Sequence, residues 1–366
     1  MKRIEHPSKI IAPEFTDAIR LAAAEAERLR DLHPGQLSII REQNWFSMFV
    51  PREFGGLELS LPEGVRIEEC LSWTDGSTGW VVTLCSGAAW FSGFLARALL
   101  REIVADDRVC FAGSGAPTGL ARITEKGYEV SGYWKYASGS IHATVFTANC
   151  VLTKEGVPLR NEDGTTVVRA FLFKRDEVTL HLRWEGMGMI ATGSHDFEVR
   201  PIVLDPDRCF IIDPGHAVMK QALYQFPFLP MAEATLAANL SGMGVRFMDL
   251  CETLFEERIE HRPYTPSRAS VLRQKLAEAQ KNLMNCRQAF YDVLDSSWEI
   301  VVTGKCIPRE QLNDISRYSH RLADAARQGV DELYPHCGLT AANTRTEMNR
   351  VWRNLHTASQ HALLEF

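Results

Sequence analysis

The pattern of apolar and polar positions divides the 366 residues into three textures. In the first, Phe15, Ile19, Ala22 and Leu29 recur near the helical period within an Ala/Glu/Arg-rich stretch, and Pro34-Gly35 interrupts it. The spacing predicts further helices over Leu37 to Phe46, Pro62 to Thr74 and Thr78 to Val104. Pro62 and Glu63 suit a first helical turn, where a missing N–H costs nothing and an acid complements the dipole. From about Val109 to Ile212 the texture changes to short β-rich runs separated by Gly, Asn and Asp. They cover Gly127 to Gly132, Val145 to Leu152, Val167 to Phe173, Val178 to Leu182 and Phe197 to Leu204, and Asn161 to Gly164 reads as a hairpin turn. Several strands at close spacing with no helix between them predict a small antiparallel barrel or sandwich.

After Pro214 the chain returns to helix. Leu272, Leu276, Ala279, Leu283, Cys286, Phe290 and Val293 alternate spacings of four and three, which lays one narrow stripe along a long helix and predicts bundle packing. Leu312, Ile315, Ser319, Leu322, Ala326, Val330 and Leu333 repeat the pattern after a break at Thr303 to Pro308. A helix from Met231 to about Ile259 and a last one from about Glu347 complete four. The expected fold is α+β and mostly α: an N-terminal helical domain (1–108), a central antiparallel β domain (109–213) and a C-terminal four-helix bundle (214–366).

Charge and cysteine usage narrow the function classes. Forty Lys and Arg face 46 Asp and Glu, a net charge of −6, and no basic arm or acidic tail is present. Nucleic acid and anionic membrane are therefore poor candidate partners. The start, Met1 to Pro7, is followed by no apolar signal region, and no stretch reaches the roughly 18 uninterrupted apolar residues of a membrane span, so a cytoplasmic protein is expected. Nine cysteines, an odd number without a Cys-x-x-Cys pair, fit reduced and mostly buried thiols better than a disulfide frame or a zinc site, and no metal is expected. The His-Glu-x-x-His, Walker A and Gly-x-Gly-x-x-Gly motifs are all missing from the sequence.

Four local motifs carry a resemblance. Pro51-Arg-Glu-Phe-Gly-Gly56 is a Pro-x-x-x-Gly-Gly turn. The segment from Gly127 runs through Gly132, Trp134, Ser138 and Gly139 to Ala143. Gly188-Met-Ile-Ala-Thr-Gly-Ser194 is followed by Asp196, and Trp352-Arg-Asn354 is followed eight residues after the arginine by His361. In this order and domain context they resemble the acyl-CoA dehydrogenase superfamily nearly end to end. The common dehydrogenases carry a Glu-Gly-Thr after the terminal signature, whereas this chain reads His361-Ala-Leu-Leu-Glu365. The Trp134-Lys-Tyr-Ala-Ser-Gly139 segment is similar to the branch of two-component flavin monooxygenases.

That resemblance implies an oxygenase that takes up reduced FMN or FAD from a separate NAD(P)H-dependent flavin reductase, uses O2 as co-substrate, and hydroxylates an aromatic or other small organic molecule. It implies catalytic roles for His361 and Ser138, with Ser138 at flavin N5. It also implies cofactor contacts from Ser114, Trp134, Thr192, Gly193, Ser194 and Arg262, the last toward a neighbouring subunit in a homotetramer. An imidazole titrating near about 6.5 can exchange protons at neutral pH. His361 lies five residues after His356, so on a helix the two would not share a face; His361 is the inward one by resemblance and His356 the alternative, as a substrate contact. Trp80 and Trp90 bound an apolar stretch suited to a substrate wall. For several of these an ordinary structural role competes: Ser138 as a turn cap, Trp134 as barrel filling, the 192–194 segment as a turn, and Trp80 to Trp90 as a buried helix. Two rival functions keep the same fold: an FAD-dependent acyl-CoA dehydrogenase or oxidase, for which Glu347 or Glu365 would have to serve as base, and a non-catalytic flavin-binding or assembly protein.

Overall fold

A computed structural model describes residues 3–261 and 265–364. The N-terminal part contains α1 (Pro13–Leu29), α2 (Pro34–Glu42), α3 (Leu61–Thr74), α4 (Gly76–Ala89) and α5 (Arg97–Ile103). In α1 the core face is Ile19, Ala23 and Ala26; of the predicted stripe Ile19 is buried and Phe15 packs against the core, whereas Ala23 takes the place of Ala22 and Leu29 is exposed. Helix α3 starts at a capping box in which Ser60 and Glu63 satisfy each other's backbone N–H groups. Asp75 separates α3 from α4: its carboxylate accepts from the Thr78 N–H (2.9 Å) and the Thr78 hydroxyl (2.7 Å), which caps α4 in the interior.

The helix expected over Thr78 to Val104 is broken. After α4 a 3₁₀ turn spans Trp90–Phe94, and α5 begins at Arg97. The break follows from a close approach at Gly93, where a Cβ would sit 2.1 Å from the Tyr224 ring. The Gly93 carbonyl also accepts from the Val218 and Met219 N–H groups, so the strap leading into the C-terminal helices occupies the path a continued helix would take.

The central strands are β1 (Phe111–Thr124), β2 (Gly127–Ala137), β3 (Val145–Lys154), β4 (Val157–Pro158), β5 (Val168–Lys174), β6 (Thr179–His181), β7 (His195–Leu204) and β8 (Cys209–Phe210). They form one sheet in the order β6-β7-β2-β1-β3-β5-β8, with β4 on β3. The expectation of an antiparallel domain holds for every pair but one: β1 and β3 run parallel, with a bulge between Ser114 and Gly119. The loop from Ser138 to Thr144 carries the chain from β2 to the far side of β1, and this crossover forces the parallel pairing. Trp134, Phe146, Phe171, Phe173 and Phe197 fill the core of this sheet.

The C-terminal part contains α6 (Phe228–His261), α7 (Pro266–Val302), α8 (Arg309–Cys337), a single turn α9 (Leu339–Ala342) and α10 (Glu347–Ala358). On α7 the predicted stripe is buried at Leu272, Leu276, Ala279, Leu283 and Phe290 and half-buried at Cys286 and Val293. Helix α6 packs against α3, α8, α7 and α10, so one apolar core runs through both helical regions. None of the described helices is long and apolar enough to cross a membrane.

Candidate active site

A cleft opens where α4, the first turns of α6 and strands β1 and β3 meet. Phe91, Phe228 and Met231 supply apolar wall, Ser114 and Asn149 supply polar groups, and Ser138 stands at the end of β2. Its volume is about 140 Å³, and among the described residues no Asp, Glu, Lys or Arg lines it. An apolar wall with a few polar groups is the character of a small-ligand site. Gly87 on α4 and Gly115 on β1 both face open space, since a Cβ added at either meets nothing within 4 Å. These two backbone segments carry no side chain that would keep a flat ring system, such as a flavin or an aromatic substrate, away from them.

Ser138 is held by a chain of buried polar groups. The Trp80 indole N–H donates to the Ser138 hydroxyl (3.1 Å), the Ser138 and Ser194 hydroxyls lie 2.8 Å apart, and those of Ser194 and Thr192 lie 2.6 Å apart. The Thr192 hydroxyl donates to the Met189 carbonyl at 2.8 Å. All four side chains are buried, so these partners stand in for water. The Gly139 N–H donates to the Thr192 carbonyl (2.8 Å) and ties the two loops together. Gly139 has φ of +70°, a conformation natural to glycine, and a Cβ there would meet the Cys85 sulfur at 2.5 Å.

The terminal signature clamps the second loop. The Asn354 side-chain oxygen accepts from the Met189 N–H (2.6 Å), the Thr357 hydroxyl accepts from the Gly188 N–H (3.0 Å), and Arg353 donates to the Met187 carbonyl (2.7 Å). Arg353 is anchored in turn by Glu27 at 2.7 Å. Gly188 runs so close to α10 that a Cβ would sit 2.0 Å from the Arg353 carbonyl oxygen. Arg353 and Asn354 are thus positioning residues, fixing the loop whose Ser194 hydroxyl reaches Ser138 and whose Thr192 carbonyl holds Gly139.

His361 follows α10 and packs its ring edge-on against Trp80, with centroids 5.9 Å apart. Trp80 therefore touches both Ser138 and His361. Burial lowers the His361 pKa below the ordinary imidazole value and so favours the neutral ring. Its Nδ1 accepts from the Leu363 N–H (3.2 Å), which places the neutral ring's proton on Nε2.

The other sequence-predicted residues separate into two groups. Ser114 lines the cleft, Thr192 and Ser194 belong to the chain behind Ser138, and Gly193 between them accepts from the Ser140 hydroxyl at 2.8 Å. Trp134 lies elsewhere: it is fully buried in the sheet, stacked on Phe197 at 5.1 Å, and donates to the Asn149 carbonyl. Trp90 is buried behind Phe91, packs on Tyr224 and Phe228, and donates to the Leu223 carbonyl. His356 turns to α8, with Nε2 3.0 Å from Asp331 and its ring against Trp352. Glu347 pairs with Arg246 at 2.7 Å. Arg262 and Glu365 lie outside the described residues. Sequence reasoning missed Gly87 and Asn149; a glycine inside a helical pattern was the available signal for the first.

Comparison with known proteins places these features in context. Residues 224–366 match the family model for the acyl-CoA dehydrogenase C-terminal domain. The chain is 24% identical over 346 residues to indole-3-acetate monooxygenase of Pseudomonas putida, covering 94% of this chain and 87% of that protein. It is 23% identical to the oxygenase subunit HsaA of a flavin-dependent monooxygenase of Rhodococcus jostii, covering 94% and 91%. The structure of XiaF from a Streptomyces species in complex with FADH2 and glycerol superposes with a TM-score of 0.86 at 20% identity, covering 98% of this chain and 91% of that one.

Proposed function

We propose that this chain, which has the acyl-CoA dehydrogenase fold, is the oxygenase component of a two-component flavin-dependent monooxygenase acting on an aromatic or similar small organic substrate. The observation that carries the reading is the cleft beside Ser138, which among the described residues is lined by hydroxyl, amide and apolar groups and by no carboxylate. A dehydrogenase acting at an activated C–H bond needs a carboxylate or equivalent base in contact with substrate. Glu347, the described candidate for that base, is held in an ion pair with Arg246. The similarity to proteins named as monooxygenases supports the same choice.

Reduced flavin, when bound, supplies the two electrons with which one atom of O2 enters the product and the other leaves as water. The chain's own residues have three tasks. Ser138 orients the ring through its hydroxyl, the walls at Phe91, Phe228 and Met231 exclude water, and His361, which stands behind Trp80 and does not itself line the cleft, offers an Nε2–H hydrogen bond. Ser114 and Asn149 are the polar groups available to hold the rest of the flavin or the substrate. Either FMN or FAD serves the reading, supplied by an NAD(P)H-dependent reductase, in a cytoplasmic homotetramer. Light scattering is expected to give four times the 41.2 kDa chain mass.

Reconstitution tests the function. With a flavin reductase, NADH, O2 labelled with ¹⁸O and a panel of small phenols and indoles, one labelled oxygen is expected in a product. Reductase-independent dehydrogenation of acyl thioesters with tightly held FAD would support the rival instead. The bare wall at Gly87 gives a second test. Gly87→Phe is expected to fill the cleft and abolish turnover, while Gly87→Ala leaves activity in place and raises stability by about 0.5–1 kcal/mol, as removing a helical glycine does. Loss of fold in Gly87→Phe by circular dichroism would contradict the open space assigned there.

A further inference from the structure

Resting on the flavin reading above, we infer that the Trp80–Ser138–Ser194–Thr192–Met189 chain has a fixed direction that makes Ser138 a hydrogen-bond acceptor toward the cleft, and so selects reduced flavin over oxidised flavin at N5. The number of protons available fixes the direction. One end of the chain is an indole N–H, which only donates, and the other is the Met189 carbonyl, which only accepts. Between them stand three hydroxyls with one proton each. The indole proton serves the first link, at 3.1 Å. The Ser138 proton then serves the 2.8 Å link to Ser194, the Ser194 proton the 2.6 Å link to Thr192, and the Thr192 proton the 2.8 Å link to Met189.

With every link made, no hydroxyl proton is left for the cleft. Ser138 receives the indole N–H on one lone pair and has one lone pair open. Reduced flavin carries hydrogen on N5 and meets that lone pair as a donor. Oxidised flavin has a bare N5 that needs a donor, and Ser138 can supply one only by reversing the chain. Reversal turns the Ser194 and Thr192 protons back toward Ser138 and removes the bond from Thr192 to Met189. Losing one hydrogen bond among buried groups corresponds to roughly a tenfold preference for the reduced form. Thr192, Ser194 and Trp80 are positioning residues in this account, because they act through Ser138.

The test is the ratio of dissociation constants for oxidised and reduced flavin, measured anaerobically with FMN and with FAD on the full chain. Wild type is expected to favour the reduced form. Ser194→Ala leaves the Ser138 proton without an internal acceptor and frees it to point outward, so the ratio is expected to fall about tenfold. The two-electron potential of the bound flavin should fall with it by about 30 mV. Thr192→Ser keeps the chain and should keep the wild-type ratio, whereas Thr192→Val should lower it, and this pair carries the comparison if Ser194→Ala does not fold. Tight reduced-flavin binding with a ratio unmoved by both Ser194→Ala and Thr192→Val overturns the inference and leaves the monooxygenase reading standing. Wild type binding neither flavin overturns both.

Discussion

His361→Ala is expected to slow substrate oxygenation by about 10²–10³-fold, the range for loss of one positioned hydrogen-bond donor, with reduced-flavin binding close to wild type. The imidazole is buried beside Trp80 and carries its proton on Nε2, because Nδ1 is occupied by the Leu363 N–H. A second signature accompanies the kinetics. Burial lowers the pKa of His361 in the folded state, so as pH falls the unfolded chain takes up a proton at this position first, near about 6.5. The neutral ring's contribution to stability is full above that pH and declines as pH falls toward the depressed folded value. The stability difference between wild type and His361→Ala should therefore change between neutral and mildly acidic pH in that sense. Rates within tenfold of wild type for His361→Ala would return this residue to a packing role. Ser138→Ala should differ in kind, with reduced-flavin oxidation continuing and hydrogen peroxide released in place of product.

Arg287→Met is expected to destabilise the fold by about 3–5 kcal/mol, read as a large loss in the urea midpoint. Arg287 lies on α7 and Glu69 on α3, both almost fully buried. The guanidinium donates to both carboxylate oxygens at 2.7 and 2.8 Å, and Tyr291 donates to one of them at 2.9 Å. Burial pushes the Glu69 carboxyl up, and the charge and hydrogen bonds of Arg287 outweigh it, leaving the group below its ordinary range. Removing the cation strands a charge in the interior. The double substitution Glu69→Met with Arg287→Met removes both charges and should cost much less than either change alone. Because the folded pKa of Glu69 is depressed, its contribution is present above about pH 4.3 and is lost as pH falls through the folded value.

What the sequence made legible follows from the range of the interactions involved. The stripes on α7 and α8 are local repeats, and they place the bundle helices within a few residues of where they lie. Strand β1 escaped notice because Gly113-Ser-Gly-Ala-Pro-Thr-Gly119 has the composition of a loop; its bulge and its parallel partner β3 supply the pairing that local propensity lacks. The break after Ala89 depends on Tyr224, more than 130 residues away, and no periodicity encodes it. At the site, Ser138 and His361 were named from motif resemblance, but their shared contact with Trp80 arises from packing between a helix, a strand end and the chain terminus. Trp134 and Trp90 show the converse. Large aromatic residues near a motif are as readily claimed by the core, and here both are.

The central claim is that the protein binds a borrowed reduced flavin and controls its reaction with oxygen. Stopped-flow spectroscopy after mixing an anaerobic complex of protein and reduced FMN or FAD with O2, in the absence of substrate, tests it most directly. The account predicts two phases, in which a species with a spectrum distinct from both reduced and oxidised flavin forms first and decays to oxidised flavin more slowly, and the second phase quickens in Ser138→Ala. A single phase at the rate of free reduced flavin, with no change in Ser138→Ala, would contradict it.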